Sequence, residues 1–227
     1  MKTLKELLRN TPVTALHGDG STTVAALAYD SRAVTRSDCF FATRGTQSDG
    51  HDFIPDAVAK GASAVVCEQL PAETAHGVAY VVVPDAAGAL ADMAAAFYGH
   101  PSRELKLVGI TGTNGKTTTA TLLYDLVRAL GYKAGLVSTV VYKVGERIVE
   151  ATHTTPDPVR LNAMMREMDS MEKVNRSREE EKMTLLEELQ YQTDALAEID
   201  LTYTAIKAEL EVKRDGLEEK LQKGKDR

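Results

Sequence analysis

The chain changes character near residue 169, and this change constrains what it can fold into more than any other feature. All seven prolines lie at or before Pro158. The 59 residues from Asp169 onward hold 16 acidic and 11 basic side chains, whereas the 168 residues before them hold 17 and 16. A proline-free segment in which nearly half of the side chains are charged favours a solvated helix over a packed domain. The sequence therefore predicts a globular part followed by a helical tail.

A heptad pattern predicts that the tail, residues 169–227, forms a coiled coil. With Leu189 at an a position, eight of the ten a and d positions between residues 185 and 217 are apolar, and the exceptions are Gln192 and Lys213. Such a seam predicts self-association through residues 185–217, most simply as a dimer. A single helix that lies on the globular part would also bury the seam, and it is the alternative.

Residues 1–102 alternate short β-rich runs with helical segments, which predicts a small α/β domain. Helices are expected over residues 52–62 and 86–99, each with a glycine at its end. The expected strands are "LAYDSR" (27–32), "DCFFATRG" (38–45), "SAVVCEQ" (63–69) and "AYVVVPD" (79–85).

A second α/β unit is predicted to follow the connector "HPSREL". It begins with an apolar run typical of a strand, continues through a glycine-containing loop into a helix, and returns to a second strand. This order is that of one βαβ unit. Its segments are the strand "LKLVGIT" (105–111), the loop "GTNG" (112–115), the helix "KTTTATLLYDLVRALG" (116–131) and the strand "KAGLVST" (133–139).

The stretch "GTNGKTT", residues 112–118, indicates a phosphate-binding loop. Gly112 and Gly115 would let backbone N–H groups point at phosphate oxygens, with the positive end of a helix dipole behind them. Lys116 would reach the β- and γ-phosphates, and the Thr117 hydroxyl would reach Mg²⁺. The strict GxxxxGK[ST] pattern is not met, because Ile110 stands where its first glycine should be. The alternative is an ordinary glycine-rich turn in which Lys116 is a solvated lysine.

This loop variant resembles the ATP site of the Mur ligases, the ATP-dependent amino-acid ligases that build the peptide of peptidoglycan. The resemblance follows the order and spacing of the family along almost all of residues 1–168, whereas residues 169–227 have no counterpart in it. On the "TTPDP" segment it is closer to the member that adds the third amino acid than to the ligase of the next step. The stretches that carry it are residues 29–62, 103–119, 135–140 and 152–168.

The resemblance implies roles for individual residues. Lys116 would be the catalytic residue that neutralises charge on the transferring phosphoryl group. The ATP contacts would be Gly112, Thr113, Asn114, Gly115, Lys116, Thr117 and Thr118, with Mg²⁺ at Thr117. The UDP-N-acetylmuramoyl-peptide would be contacted by Tyr29, Ser31, Thr46, Gln47, Ser48, His153, Thr154 and Thr155. His153 departs from the asparagine that is also common there.

Plainer explanations exist for two of these substrate positions. Ser31 could be a turn cap, and "TTP" could be the N-cap of the helix that follows. Both are ordinary uses of serine and threonine before a helical run.

The resemblance also implies a reaction, in which ATP phosphorylates a carboxylate and an amine attacks the acyl phosphate. The family's next motifs are a metal-binding Glu, a Ser-Ser-His, a carbamylated lysine and an amino-acid-binding domain. None of them follows residue 168. We therefore expect an α/β substrate domain over 1–102, a truncated P-loop α/β domain over 103–168 that is not active alone, and a helical tail over 169–227. The tail would be a natural fusion, an engineered one or an erroneous gene join. The alternative function is a non-catalytic nucleotide-sugar-binding or scaffold module assembled through that tail.

Composition argues against several other classes of protein. A net charge of −6 gives no general attraction to nucleic acid or membranes. No apolar run approaches the ~20 residues of a membrane span, and the N-terminus lacks the apolar core of a signal peptide. Cys39 and Cys67 lie in apolar stretches and are expected to be buried free thiols in a reducing compartment. The histidines show no zinc-ligand spacing. We therefore expect a cytoplasmic protein without nucleic-acid or membrane partners.

Overall fold

The computed structural model describes residues 1–45, 48–145, 147–151 and 156–225. Its chain divides into two compact units, residues 1–172 and residues 173–227. The helices are α1 (Leu4–Leu7), α2 (Ile54–Ala59), α3 (Ala86–Phe97), α4 (Lys116–Ala129) and α5 (Pro158–Lys225), with 3₁₀ turns at Leu8–Asn10, Ser31–Ala33, Gly50–Phe53 and Pro101–Arg103. The strands are β1 (Lys2–Thr3), β2 (Ala15–His17), β3 (Thr23–Val24), β4 (Leu27–Ala28), β5 (Cys39–Phe41), β6 (Ala64–Cys67), β7 (Ala79–Val82), β8 (Gly135–Val137), β9 (Val141–Val144) and β10 (Arg147–Glu150).

A five-stranded sheet of order β2-β7-β6-β5-β4 forms the centre of the first unit. Strands β4 to β7 run parallel to their neighbours, and β2 closes one edge antiparallel to β7. Every residue of β6 is buried, as expected for a parallel strand with helices over both faces. Strands β1 and β3 form a separate antiparallel pair.

Alternate residues of the central strands pack into two different clusters, because successive side chains of a strand point to opposite faces. In β5 and β6, Phe41 and Val66 join a cluster with residues of α1 and α3. Phe40 and Val65, one position earlier, join the second cluster with residues of α2. The continuous apolar runs of the sequence therefore fill both sides of one sheet, which confirms the predicted α/β fold of this part.

The helix predicted over residues 86–99 is confirmed as α3. Its N-cap is Asp85, whose carboxylate accepts hydrogen bonds from the backbone N–H groups of Ala87 and Gly88 at 3.0 Å each. The helix ends at Phe97, and Gly99 follows with a positive φ of 77°. The helix predicted over 52–62 is shorter, since α2 starts only after the 3₁₀ turn Gly50–Phe53.

The strand predicted over residues 27–32 is wrong beyond Ala28. The Asp30 carboxylate accepts a hydrogen bond from the Arg32 N–H at 2.9 Å and thereby starts a 3₁₀ turn at Ser31. An Asx turn of this kind competes with the strand for the same backbone groups. The cap of this turn is Asp30, so the explanation of Ser31 as a turn cap is also wrong.

The end of the first unit contains a three-stranded antiparallel sheet of order β10-β9-β8. Tyr142 and Val144 of β9 are buried against Met164 of α5, and Met168 and Met171 pack beside them. The flexible Met168 side chain fills the space over Gly135, and the Met171 side chain lies over Gly145. The first turns of α5 therefore pack against this small sheet and supply the methionines of its hydrophobic core.

The predicted βαβ unit is wrong. Residues 106–111 form no strand, and β8 pairs antiparallel with β9 instead of parallel to a strand before α4. An isolated extended segment cannot become a strand, because its N–H and C=O groups need a ladder on at least one side. No described residue supplies that ladder here, and Leu107 and Val108 are 62% and 70% exposed. The helix of the predicted unit is present as α4, yet none of its residues is buried.

The second unit consists of the part of α5 from Lys173 onward. Its described apolar side chains are exposed, including Leu185, Leu189, Leu196, Tyr203 and Ile206 of the predicted seam. The side chains of Ile199, Leu210 and Leu217, also seam positions, lie outside the described set. None of the helices that the structure describes combines the length and apolar character of a membrane span.

We predict that Gly50→Ala destabilises the five-stranded sheet domain by about 1–3 kcal/mol, the usual cost of forcing atoms into filled space. A Cβ at Gly50 would lie 2.5 Å from the Thr43 carbonyl oxygen and 2.7 Å from the Thr43 nitrogen, and backbone cannot move aside as a side chain can. Urea unfolding followed by the near-ultraviolet circular dichroism of tyrosine measures the change. The matched control is Gly109→Ala, whose Cβ meets nothing within 4 Å. Equal midpoints for both variants would contradict the prediction.

Candidate nucleotide and substrate site

The loop before α4 has the backbone that a phosphate-binding loop requires. Gly112 and Gly115 have φ values of 148° and 79°, in the region that side chains with a Cβ rarely adopt. Gly115 is the N-cap of α4, and no described side chain caps this helix end. The first N–H groups of α4 therefore lack an intrahelical partner and are available to an anion, with the positive end of the helix dipole behind them.

The Lys116 side chain folds back over this loop. Its ammonium group donates hydrogen bonds to the carbonyl oxygens of Gly112, at 2.5 Å, and Thr113, at 3.3 Å. The side chain is exposed, and its hydrogen-bond partners among the described residues lie in its own loop. The loop therefore already places a cation beside the open helix end, where a phosphate group would meet it. The alternative, a solvated first-turn lysine, is also consistent with this exposed position at the first residue of α4.

A second hydroxyl stands next to that of Thr117. The Oγ1 atoms of Thr117 and Thr139 are 3.2 Å apart, and Thr139 lies in the bend that follows β8. Sequence reasoning missed Thr139. The signal was present, because Thr139 is the last residue of the run "KAGLVST", which the sequence places as a strand after the loop helix.

Interactions of α4 with the three-stranded sheet hold these two segments together. The Tyr124 hydroxyl and the Arg128 guanidinium both donate to the Gly145 carbonyl oxygen, at 3.4 and 3.5 Å. Lys143 of β9 lies over the Tyr124 ring at 4.7 Å from its centroid. The three-stranded sheet therefore fixes the distance between the loop helix and the bend that carries Thr139.

The donors of this loop fit a magnesium–nucleotide complex better than a free metal ion. No group of three or more metal-binding side chains occurs among the described residues. Mg²⁺ binds oxygen and often keeps several waters while bridging phosphates, so that a protein needs to supply only one or two ligands. The Thr117 hydroxyl, beside the open helix end, has the chemistry of such a ligand.

The segment at residues 29–31 forms a polar group of its own in the first unit. The Arg32 guanidinium bonds to Asp30 and lowers the pKa of this carboxyl to about 2. Lys60 donates a hydrogen bond to the Ser31 carbonyl oxygen at 2.8 Å. The Ser31 side chain is largely buried, and its hydroxyl makes no hydrogen bond to another described residue. Ser31 therefore presents an unused hydroxyl on a firmly held backbone.

Tyr29 brings this segment next to the start of α5. Burial raises the pKa of Tyr29, and the Asp157 carboxylate beside its hydroxyl raises it further. Asp157 also accepts a hydrogen bond from the Arg160 N–H at 2.9 Å, so it acts as the cap that begins α5. Burial and the charge of Asp157 likewise raise the pKa of Tyr98. The fold thus places Tyr29 close to the end of the "TTPD" segment at Asp157, 128 positions later in the chain.

Of the other predicted substrate residues, Ser48 is the one that the structure describes. Ser48 is exposed, and its carbonyl oxygen accepts a hydrogen bond from Gly45 across the loop. Thr46, Gln47, His153, Thr154 and Thr155 lie outside the described residues. Among the described residues, no hydrogen bond or ion pair joins the loop at 112–118 to the segment at 29–31. The loop at residues 112–118 and the Tyr29 segment at residues 29–31 are therefore two separate parts of the candidate site.

His51 has a structural role next to the loop that contains Ser48. Its Nε2 accepts hydrogen bonds from the backbone N–H groups of Glu68 and Gln69, at 3.0 and 3.3 Å. Its Nδ1 therefore carries the proton and donates it to Asp49 at 2.6 Å. The imidazole joins the 3₁₀ turn at Gly50–Phe53 to the end of β6, so its two nitrogens are already used.

Cys39 and Cys67 are free and buried, as predicted. Burial raises the pKa of both thiols, that of Cys67 to about 11. A thiol that stays protonated is a poor nucleophile. The two cysteines therefore belong to the core and take no part in the candidate chemistry.

Comparison with protein families matches two parts of the chain. Residues 23–98 match the model of the Mur ligase family, catalytic domain, and residues 110–208 match the Mur ligase middle domain. The second match continues past residue 168, so the expectation that residues 169–227 have no counterpart in the family is wrong for residues 169–208.

Similar curated proteins are ligases named for UDP-N-acetylmuramoyl-L-alanyl-D-glutamate and 2,6-diaminopimelate. The Bacteroides fragilis ligase is 48% identical over 165 residues, which cover 73% of this chain and 34% of that protein. The Cytophaga hutchinsonii ligase is 49% identical over 166 residues, with the same coverage. The chain thus spans about a third of the length of the curated relatives it matches.

A solved structure of a UDP-N-acetylmuramoyl-L-alanyl-D-glutamate–2,6-diaminopimelate ligase has a similar fold. It matches with a TM-score of 0.55 and 22% identity, over 75% of this chain and 34% of that one. At this identity the likeness concerns the fold alone. It supports the α/β architecture and carries no information on ligands.

We predict that Lys116→Ala weakens ATP binding at least tenfold. The substitution removes the cation beside the open end of α4, and a hydrogen bond to a charged group contributes about 1.5–3 kcal/mol. Calorimetric titration with a non-hydrolysable ATP analogue measures the affinity. Lys106→Ala, which removes an exposed lysine shortly before the loop, is the control and should bind as the parent chain does. Unchanged affinity in Lys116→Ala would refute the phosphate-loop interpretation.

Proposed function

Because the chain belongs to the Mur ligase family, we propose that it supplies the nucleotide-binding and UDP-sugar-binding parts of an ATP-dependent, amide-forming ligase. The ligase would add the third amino acid to UDP-N-acetylmuramoyl-dipeptide in peptidoglycan synthesis. The observation that carries the proposal is the glycine loop with Lys116 folded over it, at the uncapped start of α4.

The residues of the loop would act on the phosphates as follows. Lys116 would leave its two carbonyl partners and place its charge on the β- and γ-phosphates, while the first N–H groups of α4 bind phosphate oxygens. Thr117 would offer its hydroxyl oxygen to Mg²⁺, and Thr113, Asn114 and Thr118 would complete the wall of the loop. When bound, MgATP would supply the phosphoryl group that activates the substrate carboxylate. Donors that are already in place stabilise developing charge without having to reorganise, and this is their contribution to rate.

The substrate side of the proposal rests on the Tyr29 and Ser31 group. A hydroxyl on a rigid backbone can donate a charge-assisted hydrogen bond to a diphosphate oxygen, and the unused Ser31 hydroxyl meets this description. We propose that Tyr29, Ser31 and Ser48 contact the UDP part, together with Thr46 and Gln47. His153, Thr154 and Thr155 would contact the muramoyl-peptide. These last three precede Pro156 and Asp157, and Asp157 is the residue next to Tyr29 in the fold.

We retain the division into residues 1–102, 103–168 and 169–227 as a functional proposal. The first part would bind the UDP-sugar, the second the nucleotide, and the third would be a coiled-coil tail. The boundary between the two compact units, at residues 172 and 173, lies close to the start of the proposed tail.

A ligation assay tests the overall function. The chain is incubated with ATP, UDP-N-acetylmuramoyl-dipeptide and 2,6-diaminopimelate, the amino acid in the names of its relatives. The residues that would bind this amino acid are not identified in the chain. We therefore expect ATP and UDP-N-acetylmuramoyl-dipeptide to bind and little or no product to form. Turnover at the rate of a complete ligase would contradict this expectation and establish a catalyst.

The second candidate function is a non-catalytic module that assembles through its tail. It is favoured by the row of exposed apolar side chains on the part of α5 that forms the second unit. Binding of the UDP-sugar without binding of ATP would support this function over the first.

We predict that Ser31→Ala weakens binding of UDP-N-acetylmuramoyl-dipeptide about tenfold. The hydroxyl would donate to a charged diphosphate, and the loss of one such bond is worth at least 1.4 kcal/mol, a factor of ten. Calorimetry on the full chain measures the affinity. Ser102→Ala, at an exposed serine of a different 3₁₀ turn, should leave it unchanged. Equal affinities for Ser31→Ala and the parent chain would remove Ser31 from the site.

We predict that the chain forms a dimer through its heptad seam and that Leu196→Asp combined with Ile206→Asp makes it monomeric. Both residues lie on the seam, and burying such a side chain contributes roughly 1.5–3 kcal/mol before entropy is counted. Sedimentation equilibrium gives the mass. Leu201→Asp with Tyr191→Asp is the matched control, because these side chains are just as exposed but lie off the seam at f and c positions. A monomeric parent chain, or a control pair that also dissociates, would refute the coiled coil.

A further inference from the structure

Thr117 differs from four other helical threonines of this chain in what its hydroxyl contacts. The hydroxyls of Thr121, Thr184, Thr193 and Thr202 each donate to the carbonyl oxygen four residues earlier in their helix. The corresponding carbonyl for Thr117 is that of Thr113, which already accepts from the Lys116 ammonium. The Thr117 hydroxyl instead meets Thr139, at 3.2 Å between the oxygens.

The bend that carries Thr139 is held by its own hydrogen bonds. The Ser138 hydroxyl oxygen accepts from the backbone N–H groups of Val140 and Val141, at 3.3 and 3.1 Å. The Ser138 N–H donates to the Val141 carbonyl oxygen at 3.1 Å. Thr139 lies between these anchors, so its position relative to β8 and β9 is fixed by backbone.

The chemistry of a metal-bound hydroxyl explains why such a neighbour matters. A threonine oxygen that offers a lone pair to a cation keeps its proton, and the proton has to point away from the metal toward an acceptor. Without an acceptor, the hydroxyl rotates freely and presents a lone pair to the cation only part of the time. Outer partners that orient metal ligands in this way commonly change metal affinity 10–100-fold.

We propose that Thr139 is a positioning residue of the nucleotide site. Its Oγ1 accepts a hydrogen bond from the Thr117 hydroxyl and thereby would turn the Thr117 lone pairs toward the Mg²⁺ that accompanies a bound nucleotide. This role rests on the proposed nucleotide function of the loop. The bend between β8 and β9 would thus take part in nucleotide binding, although it lies outside the loop at residues 112–118.

The test compares the nucleotide affinity with and without the metal. A non-hydrolysable ATP analogue is titrated into the full chain in the presence of Mg²⁺ and in the presence of EDTA, and the ratio of the two affinities is the metal enhancement. Thr139→Val, which keeps the shape and removes the acceptor, should lower this enhancement about tenfold. Its affinity in EDTA should equal that of the parent chain. Thr139→Ser should restore the enhancement.

Control variants separate this role from a structural one. Thr121→Val makes the same change on α4, at a hydroxyl whose hydrogen bond within the described part of the chain goes to the Thr117 backbone carbonyl, and should retain the full enhancement. An unchanged enhancement in Thr139→Val would overturn the proposal. So would a loss in Thr139→Ser equal to that in Thr139→Val, because the methyl group and not the hydroxyl would then be responsible. A parent chain that binds the analogue in neither condition would overturn the proposed nucleotide function, and this inference with it.

Discussion

Each extended segment needs a partner for its backbone N–H and C=O groups, and the structure of the first unit depends on how far this need is met. Between β2 and β4 the ladder is continuous, and every residue of the central strand β6 is buried. Residues 106–111 have the same apolar character but no neighbouring strand among the described residues, so they stay exposed. The same sequence chemistry thus gives a core strand in one place and an open segment in the other.

This requirement also decides how much of the fold the sequence could predict. Runs such as Ala64–Cys67 and the capped helix Ala86–Phe97 were predicted correctly, because each carries its own signal and its neighbours are close in the chain. The strand before Lys116 was not, since periodicity indicates that a segment can be a strand but not whether a partner exists. The pairing of β8 with β9 was missed for the same reason.

The candidate site divides in a similar way. The loop at residues 112–118 was predictable because its glycines, lysine and threonine are consecutive, and the local backbone alone determines how they are arranged. Thr139 and the approach of Asp157 to Tyr29 were not predictable, because both depend on which distant segments the fold brings together. The number of residues between two positions does not give the distance between them in the fold. The hydrogen bond between Thr117 and Thr139, which are 22 positions apart in the chain, is seen only in the structure.

Nucleotide binding and turnover make different demands on this chain, and the structure helps to separate them. Binding phosphate requires the uncapped end of α4, two glycines with positive φ and one cation, all within eight residues. Amide formation additionally requires a carboxylate, an amine and a nucleotide at one point, held in fixed relative positions. The part of the chain that the structure describes holds the loop at 112–118 and the Tyr29 group as separate parts of one unit. An affinity for nucleotide would therefore follow from local structure alone, whereas catalysis would require these two parts to act on the same substrate.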